Sequence, residues 1–201
     1  MNIQFPRILR IFYGNFIWRK NPSSKMIYLT FDDGPVPEVT PFVLDILDKY
    51  SWKATFFCVG ENVQKNPELY AEILKRGHKT ANHSFNHLKG FNFSTNEYIA
   101  NVKKAAEYID SKLFRPPYGK ITRKQADILK KDYEIIMWDV ITHDYNKSLT
   151  PEKVFKNVKN NLRNGSIVVF HDSIKAKENV LSVLPRAIEF WESKGFGFGL
   201  L

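Results

Sequence analysis

From Met26 onward the chain alternates between short apolar runs and longer stretches whose apolar residues recur three and four positions apart. The short runs predict strands, and the longer ones predict helices buried on one face. Met26–Phe31, Lys53–Val59, Glu134–Val140 and Ser166–Phe170 read as strands, as do His78–Asn82 and the very short Phe114–Arg115. A helix is predicted over Val39–Tyr50, with Phe42, Val43, Ile46, Leu47 and Tyr50 on one face. Another covers Asn66–Arg76, with Pro67 in its first turn and Gly77 at its end. Ser94 and Glu97 form a capping-box pair that opens a helix running to about Lys112. Thr122–Lys131 follows. Thr150 caps a helix that has Pro151 at its first position and Gly165 beyond its end, and Asn179–Ser193 is the last.

Repeated strand–helix units imply an α/β protein with a parallel sheet and helices outside. Six or seven units in 201 residues predict an incomplete (β/α) barrel, of about seven strands, in preference to an open sheet. An open doubly wound sheet would need a glycine-rich turn after its first strand, and that turn here is Asp32-Asp33-Gly34-Pro35. No linker or repeat divides the chain, so residues 26–201 read as one domain behind a lead-in of residues 1–25.

Composition narrows the partners. At 43% hydrophobic and 25% charged residues, the chain can bury a core. Its one cysteine, Cys58, excludes an internal disulfide and a cysteine-built zinc site. The net charge of +9 favours anionic partners. The lysines are scattered without an arginine tract or nucleic-acid motif, so nucleic acid is not expected. The apolar stretch from Ile8 to Trp18 is broken by Arg10, Gly14 and Asn15, and no small-x-small cleavage site follows. It fits neither a clean signal peptide nor a membrane span. Residues 1–20 therefore either pack on the domain or lie at a membrane interface. The expected state is a monomer, cytoplasmic or membrane-peripheral rather than secreted by a standard route.

The polar residues gather at strand ends. Asp32 and Asp33 end the first strand, and His83 and His87 follow the third. Arg115 precedes Pro116-Pro117-Tyr118-Gly119. Asp139 and Asp144 follow Trp138, and His171 and Asp172 end the last strong strand. In a (β/α) barrel these points share the C-terminal face, where active sites are built. On a helical turn, the spacing of His83 and His87 would place both rings on one side, able to share a metal. Taken alone, such a pair is more often structural; the separate aspartate pair changes that balance. Adjacent carboxylates disfavour each other's ionised form, which a cation relieves. Gly34 and Pro35 supply the bend needed to present both. Two histidines and a carboxylate match catalytic zinc, with cobalt, manganese, nickel or iron as alternatives, and equally match non-haem iron oxygenases.

At TFDDGP (30–35) together with HSFNH (83–87), the chain resembles the polysaccharide deacetylases, the NodB-homology family of carbohydrate esterases. RPPYG (115–119), WDVITHDY (138–145) and SIVVFHD (166–172) resemble three further motifs, in order along nearly the whole chain. The resemblance implies a distorted (β/α) barrel that removes N-acetyl groups from an amino-sugar polymer. It implies Asp33, His83 and His87 as ligands of a divalent metal, Asp32 as general base, and Arg115 as its orienting partner. His171 becomes the general acid and Asp144 the residue that tunes it. Pro116, Tyr118, Trp138, Tyr145 and Val169 fall to substrate binding, with the Tyr118 backbone at the oxyanion and Val169 against the acetyl methyl.

The fourth motif departs from the common Asp-x-x-Asp-Trp. Ile141 replaces its first Asp and Tyr145 its Trp, while Asp144 is kept. His78 reads as structural and His143 as a solvated loop residue. The alternatives are an amidase for a small N-acyl substrate, a glycan-binding barrel without catalysis, and an iron oxygenase. The last has no evident use for an Arg–Asp–His acid/base set.

Overall fold

In a computed structural model, residues 16–201 are described. Eight strands occur among them: β1 (Met26–Asp32), β2 (Thr55–Cys58), β3 (Lys79–Asn82), β4 (Leu113–Phe114), β5 (Glu134–Ile135), β6 (Val140–Ile141), β7 (Ile167–His171) and β8 (Gly197–Phe198). The α-helices are α1 (Thr40–Lys49), α2 (Gly60–Lys65), α3 (Pro67–Lys75), α4 (Thr95–Ala106), α5 (Arg123–Leu129), α6 (Pro151–Asn161) and α7 (Lys177–Ser193). The strands run β5-β4-β3-β2-β1-β7-β6, all parallel, and β8 pairs with the start of β1. Seven parallel strands curl into a distorted (β/α) half-barrel.

Strand alternation sorts the side chains. Ile27, Leu29 and Phe31 of β1 and Val168 and Phe170 of β7 join the large core under the helices, with Val180, Leu184 and Trp191 of α7. Tyr28 and Ile167 point the other way, into the barrel, where they meet Phe57, Ala81, Ile136 and Leu201. The inward row therefore reads Tyr28, Thr30, Asp32 on β1, in register with Ile167, Val169, His171 on β7. It is apolar at the bottom and ionisable at the top. One alternation thus builds the core and aims the chemistry.

Two elements differ from the sequence expectation. The run Glu134–Val140 is two strands. β5 pairs with β4 at one edge of the sheet, and β6 pairs with β7 at the other. Between them the chain crosses the barrel opening. Ile17 fills part of that seam, donating its N–H to Ile135 O at 2.9 Å and accepting from Met137 N at 2.8 Å, and Lys20 N reaches Gly165 O at 3.0 Å. The helix opened by Ser94 ends at Ala106, earlier than expected, because Tyr108 and Ile109 turn back onto Ala105 O. That turn buries Ile109 in the core and lets β4 begin.

The capping box of Ser94 and Glu97 and the Thr150 cap form as the sequence predicts. Phe16 and Trp18 are buried beside Phe114 and Met137. The packing and membrane readings of residues 1–15 lie outside the described residues. Among the described residues no helix is long and apolar enough to cross a membrane.

Candidate active site

The turn after β1 is held from three sides. Asp33 has a left-handed backbone (φ 85°), and Asn62 donates to its carbonyl at 2.7 Å. Gly34 N donates to Asp172 Oδ1 at 3.0 Å, and Thr40 Oγ1 lies 2.7 Å from Asp172 Oδ2. A Cβ on Gly34 would sit 1.9 Å from that carboxylate, so only glycine fits. Burial pushes the Asp172 carboxyl up to about 8, against the hydrogen bond from Thr40. Its work is holding the turn.

His83 and His87 reach the site on a loop, where a helical turn was expected. Ser84 and His87 both have positive φ (63° and 54°), and Asn101 Oδ1 accepts the N–H groups of Phe85 and Asn86. The two rings lie 5.0 Å apart between centroids. Asp33, His83 and His87 can each offer one donor atom such that all lie within 4.8 Å of one another. His87 Nε2 is 3.2 Å from Asp33 Oδ1, and His83 Nε2 is 3.9 Å from it. Two ligands of a tetrahedral zinc ion stand about 3.3 Å apart. The tautomer fits too: His83 Nδ1 is 2.8 Å from the Arg115 carbonyl, which can only accept, so Nε2 carries the lone pair. Burial lowers the His83 pKa to about 4 against the pull of Asp32, keeping the ring neutral. Burial would raise the Asp33 carboxyl, but the hydrogen bond from His87 and the nearby histidines outweigh it and lower it. A neutral His83 imidazole and an ionised Asp33 carboxylate, with the His87 ring beside them, form a suitable donor set for a divalent metal.

Asp32 stands between this cluster and His171. Its Oδ1 accepts from Arg115 Nη1 at 2.5 Å, and its Oδ2 lies 3.9 Å from His83 Nε2. Arg115 is fully buried, with its guanidinium 3.9 Å over the Phe57 ring. It also donates to Thr30 Oγ1 and to the carbonyls of Ile136 and Met137. His171 Nδ1 pairs with Asp144 Oδ1 at 2.7 Å. Burial alone would lower its pKa, but Asp144 together with Asp33 and Asp32 raises it to about 9. His171 is therefore a proton donor at neutral pH. Tyr145 packs edge-on against it at 4.7 Å.

These groups open into a cavity of about 730 Å³ walled by Tyr118, Trp138, Ile141 and Tyr145. Tyr118 is 60% exposed, adopts φ 59° and lies tilted against the His87 ring, 4.6 Å between centroids. Five of the seven non-glycine residues with positive φ among the described residues lie in these loops: Asp33, Ser84, His87, Tyr118 and His143. Strained backbone of this kind concentrates at functional sites.

Four expectations need correction. Asp139 is not on the rim. It pairs with Arg163 and Ser166 just before β7, at the opposite end of the barrel, where it closes a structural network. Val169 is fully buried under His171 and does not line the cavity; its register partner Ile141 does. Pro116 is buried in the turn and likewise does not line it. His143 is buried rather than solvated, and its Nδ1 lies 2.9 Å from the Tyr145 hydroxyl. His78 accepts from Ala54 N at 3.2 Å in the core, a structural role. Sequence reasoning missed Asn62, Val36, Ile174 and Lys175, which also line the cavity. Only the position of the last two, just beyond His171-Asp172, could have flagged them.

Comparison with known proteins places this geometry. Residues 19–133 match the family model described as polysaccharide deacetylase. A peptidoglycan-N-acetylglucosamine deacetylase of Bacillus cereus is 32% identical over 92% of this chain and 90% of its own. A chitooligosaccharide deacetylase of Azorhizobium caulinodans is 34% identical over 79% of this chain and 78% of its own. A crystal structure of a peptidoglycan N-acetylglucosamine deacetylase bound to a naphthalenyl N-oxidanyl-benzamide superposes with a TM-score of 0.91, at 28% identity, over 98% of this chain and 95% of that one. The chain belongs to the polysaccharide deacetylase family, the NodB-homology carbohydrate esterases, and is a hydrolase of that family.

Proposed function

We propose that the protein releases acetate from N-acetylglucosamine units of a cell-wall-type glycan, using a divalent cation, zinc foremost, held by Asp33, His83 and His87. The observation that carries this is the ordered row of His83, Asp32 and His171 at one rim, each with its second atom already tied: to the Arg115 carbonyl, to the Arg115 guanidinium and to Asp144. The metal supplies, when bound, a Lewis acid for the amide carbonyl and an acidified water.

The chain's own residues do the rest. Arg115 occupies Asp32 Oδ1, which leaves Oδ2 free to take the proton of the attacking water. His171, with Nδ1 committed to Asp144, presents its Nε2 proton to the departing amine. The Tyr118 backbone donates toward the developing oxyanion. Trp138 and Tyr145 offer faces for sugar rings, and Ile141 takes the acetyl-methyl wall that the sequence assigned to Val169.

The test is acetate release. Chelator-treated protein is assayed on chitooligosaccharides and on peptidoglycan fragments, with and without zinc or cobalt. Metal-dependent acetate supports the reading. Its absence from folded, metal-loaded protein would overturn it and favour a small N-acyl substrate.

A further inference from the structure

The loop after β6 holds a histidine that the reaction as drawn does not use. His143 lines the catalytic cavity, yet it is only 6% exposed. Its backbone is left-handed (φ 59°), a conformation that residues other than glycine resist. The chain around it is clamped from three elements. Thr142 N donates to Val169 O of β7 at 3.1 Å, and Asn157 of α6 donates to Thr142 O at 3.1 Å. Asn179 of α7 donates to Asp144 O at 2.9 Å. Asn146 N closes the turn on His143 O at 3.0 Å. The fold therefore aims the His143 ring, and it aims it at Tyr145.

His143 Nδ1 lies 2.9 Å from the Tyr145 hydroxyl, with the two rings at 72° to each other. A phenol can donate to a ring nitrogen or accept from it, so the bond stands in either histidine tautomer. Burial first, then Asp144 and Asp33, raise the Tyr145 pKa, and the hydroxyl keeps its proton. At its other end, Tyr145 N donates to Asp144 Oδ1 at 3.1 Å. The tyrosine is thus pinned at both ends, and its ring stands at 82° to that of His171, 4.7 Å between centroids. Asp144 grips the His171 imidazole at its Nδ1 edge. The opposite edge carries the proton to be given, and a small tilt about the grip displaces that edge most. A ring braced against the imidazole resists the tilt.

Resting on the deacetylase reading above, we infer that His143 is a positioning residue of the reaction: through the Tyr145 hydroxyl it holds the tyrosine ring against His171 and so keeps the proton aimed at the departing amine. It acts through Tyr145 rather than on the substrate. The dependence is specific to the leaving group. An amine must be protonated to leave, whereas a nitrophenolate leaves without a proton. Loss of aim should therefore slow amide cleavage more than cleavage of an activated aryl ester at the same site.

The experiment compares the full zinc-loaded chain with Tyr145→Phe, His143→Gly, His143→Asn and the double variant of the first two. Glycine accepts the left-handed backbone and removes the ring. Asparagine tolerates that backbone and returns an amide near the place of Nδ1. For acetate release from chitooligosaccharides, kcat should fall about tenfold in Tyr145→Phe and in His143→Gly, with KM within about twofold. It should fall no further in the double variant, and His143→Asn should recover most of the loss. The ratio of amide to ester rate, with para-nitrophenyl acetate as the ester, should fall by the same factor as kcat. The ring-proton signals of His171, identified by their loss in His171→Gln, should shift in both single variants; this reading needs no turnover. Tyr145→Phe carries the test alone if His143→Gly does not fold. Unmoved His171 signals, equal losses on amide and ester, or additive losses in the double variant overturn the inference. A lower melting temperature with full activity overturns it too, leaving His143 a structural residue. Wild type that releases no acetate overturns the deacetylase reading instead, and the His171 signals then decide the pairing on their own.

Discussion

His171 Nδ1 lies 2.7 Å from one oxygen of Asp144, and the other oxygen of that carboxylate accepts the backbone N–H of His171 at 2.8 Å. The carboxylate thus fixes the ring's tautomer, its rotation and its charge together. Asp144 leads the attractions that raise the His171 pKa to about 9 against its burial. A proton donor works only below its pKa, so kcat should fall as pH rises through about 9. In Asp144→Asn the descending limb should move toward the ordinary histidine value of about 6.5, with kcat at its optimum lower by roughly a hundredfold. A pH–rate profile reads both, and an unmoved limb would remove His171 from the acid role.

Asp32 and the metal cluster should separate by mutation. Asp32→Asn should keep its zinc and lose activity by two or more orders of magnitude, roughly the worth of a general base. His83→Ala should lose both. Zinc content by elemental analysis beside acetate release decides this. Full metal occupancy in His83→Ala would refute the ligand assignment.

Arg115 is wholly buried against the Asp32 carboxylate. Removing one partner of such a pair strands the other, at a cost of about 3–5 kcal/mol. Arg115→Met should therefore lose that much in urea unfolding. Asp32→Asn in the same chain should recover most of it without restoring catalysis.

His78 sits in the core with its pKa lowered to about 4, chiefly by burial and secondarily by Lys53. A depressed histidine adds stability that is complete above about pH 6.5 and disappears as pH falls through its folded value. Unfolding free energy should decline between pH 6.5 and 4 by on the order of 3 kcal/mol from this residue. In His78→Gln that part of the slope should be gone, although the protein starts less stable.

The site was legible wherever its chemistry is written in adjacent residues. Asp32-Asp33-Gly34 carries its own bend, and His171 ends a strand whose alternation aims it inward. The His83–His87 spacing foretold a shared site, but through the wrong geometry, because positive φ at Ser84 and His87 is invisible in their letters. Pairing partners were illegible for a related reason. Glu134–Val140 has the period of one strand, yet which neighbour each half joins depends on residues far along the chain. Asp139 misled for the same cause: its position after Trp138 suggested the rim, whereas Arg163 and Ser166 fix it at the other end. Lys175 and Asn62 reach the cavity only through the fold.

The seam that Ile17 fills has a consequence for how the molecule is made. Residues 16–20 are synthesised before the other described residues, yet their partners Ile135, Met137 and Gly165 lie more than a hundred positions further along the chain. Contacts so distant in sequence wait for a long loop to close. The earliest-synthesised part of the described chain is thus bound to be among the last to dock. Until it does, Phe16 and Trp18 lack the Phe114 and Met137 side chains against which they are buried in the folded chain.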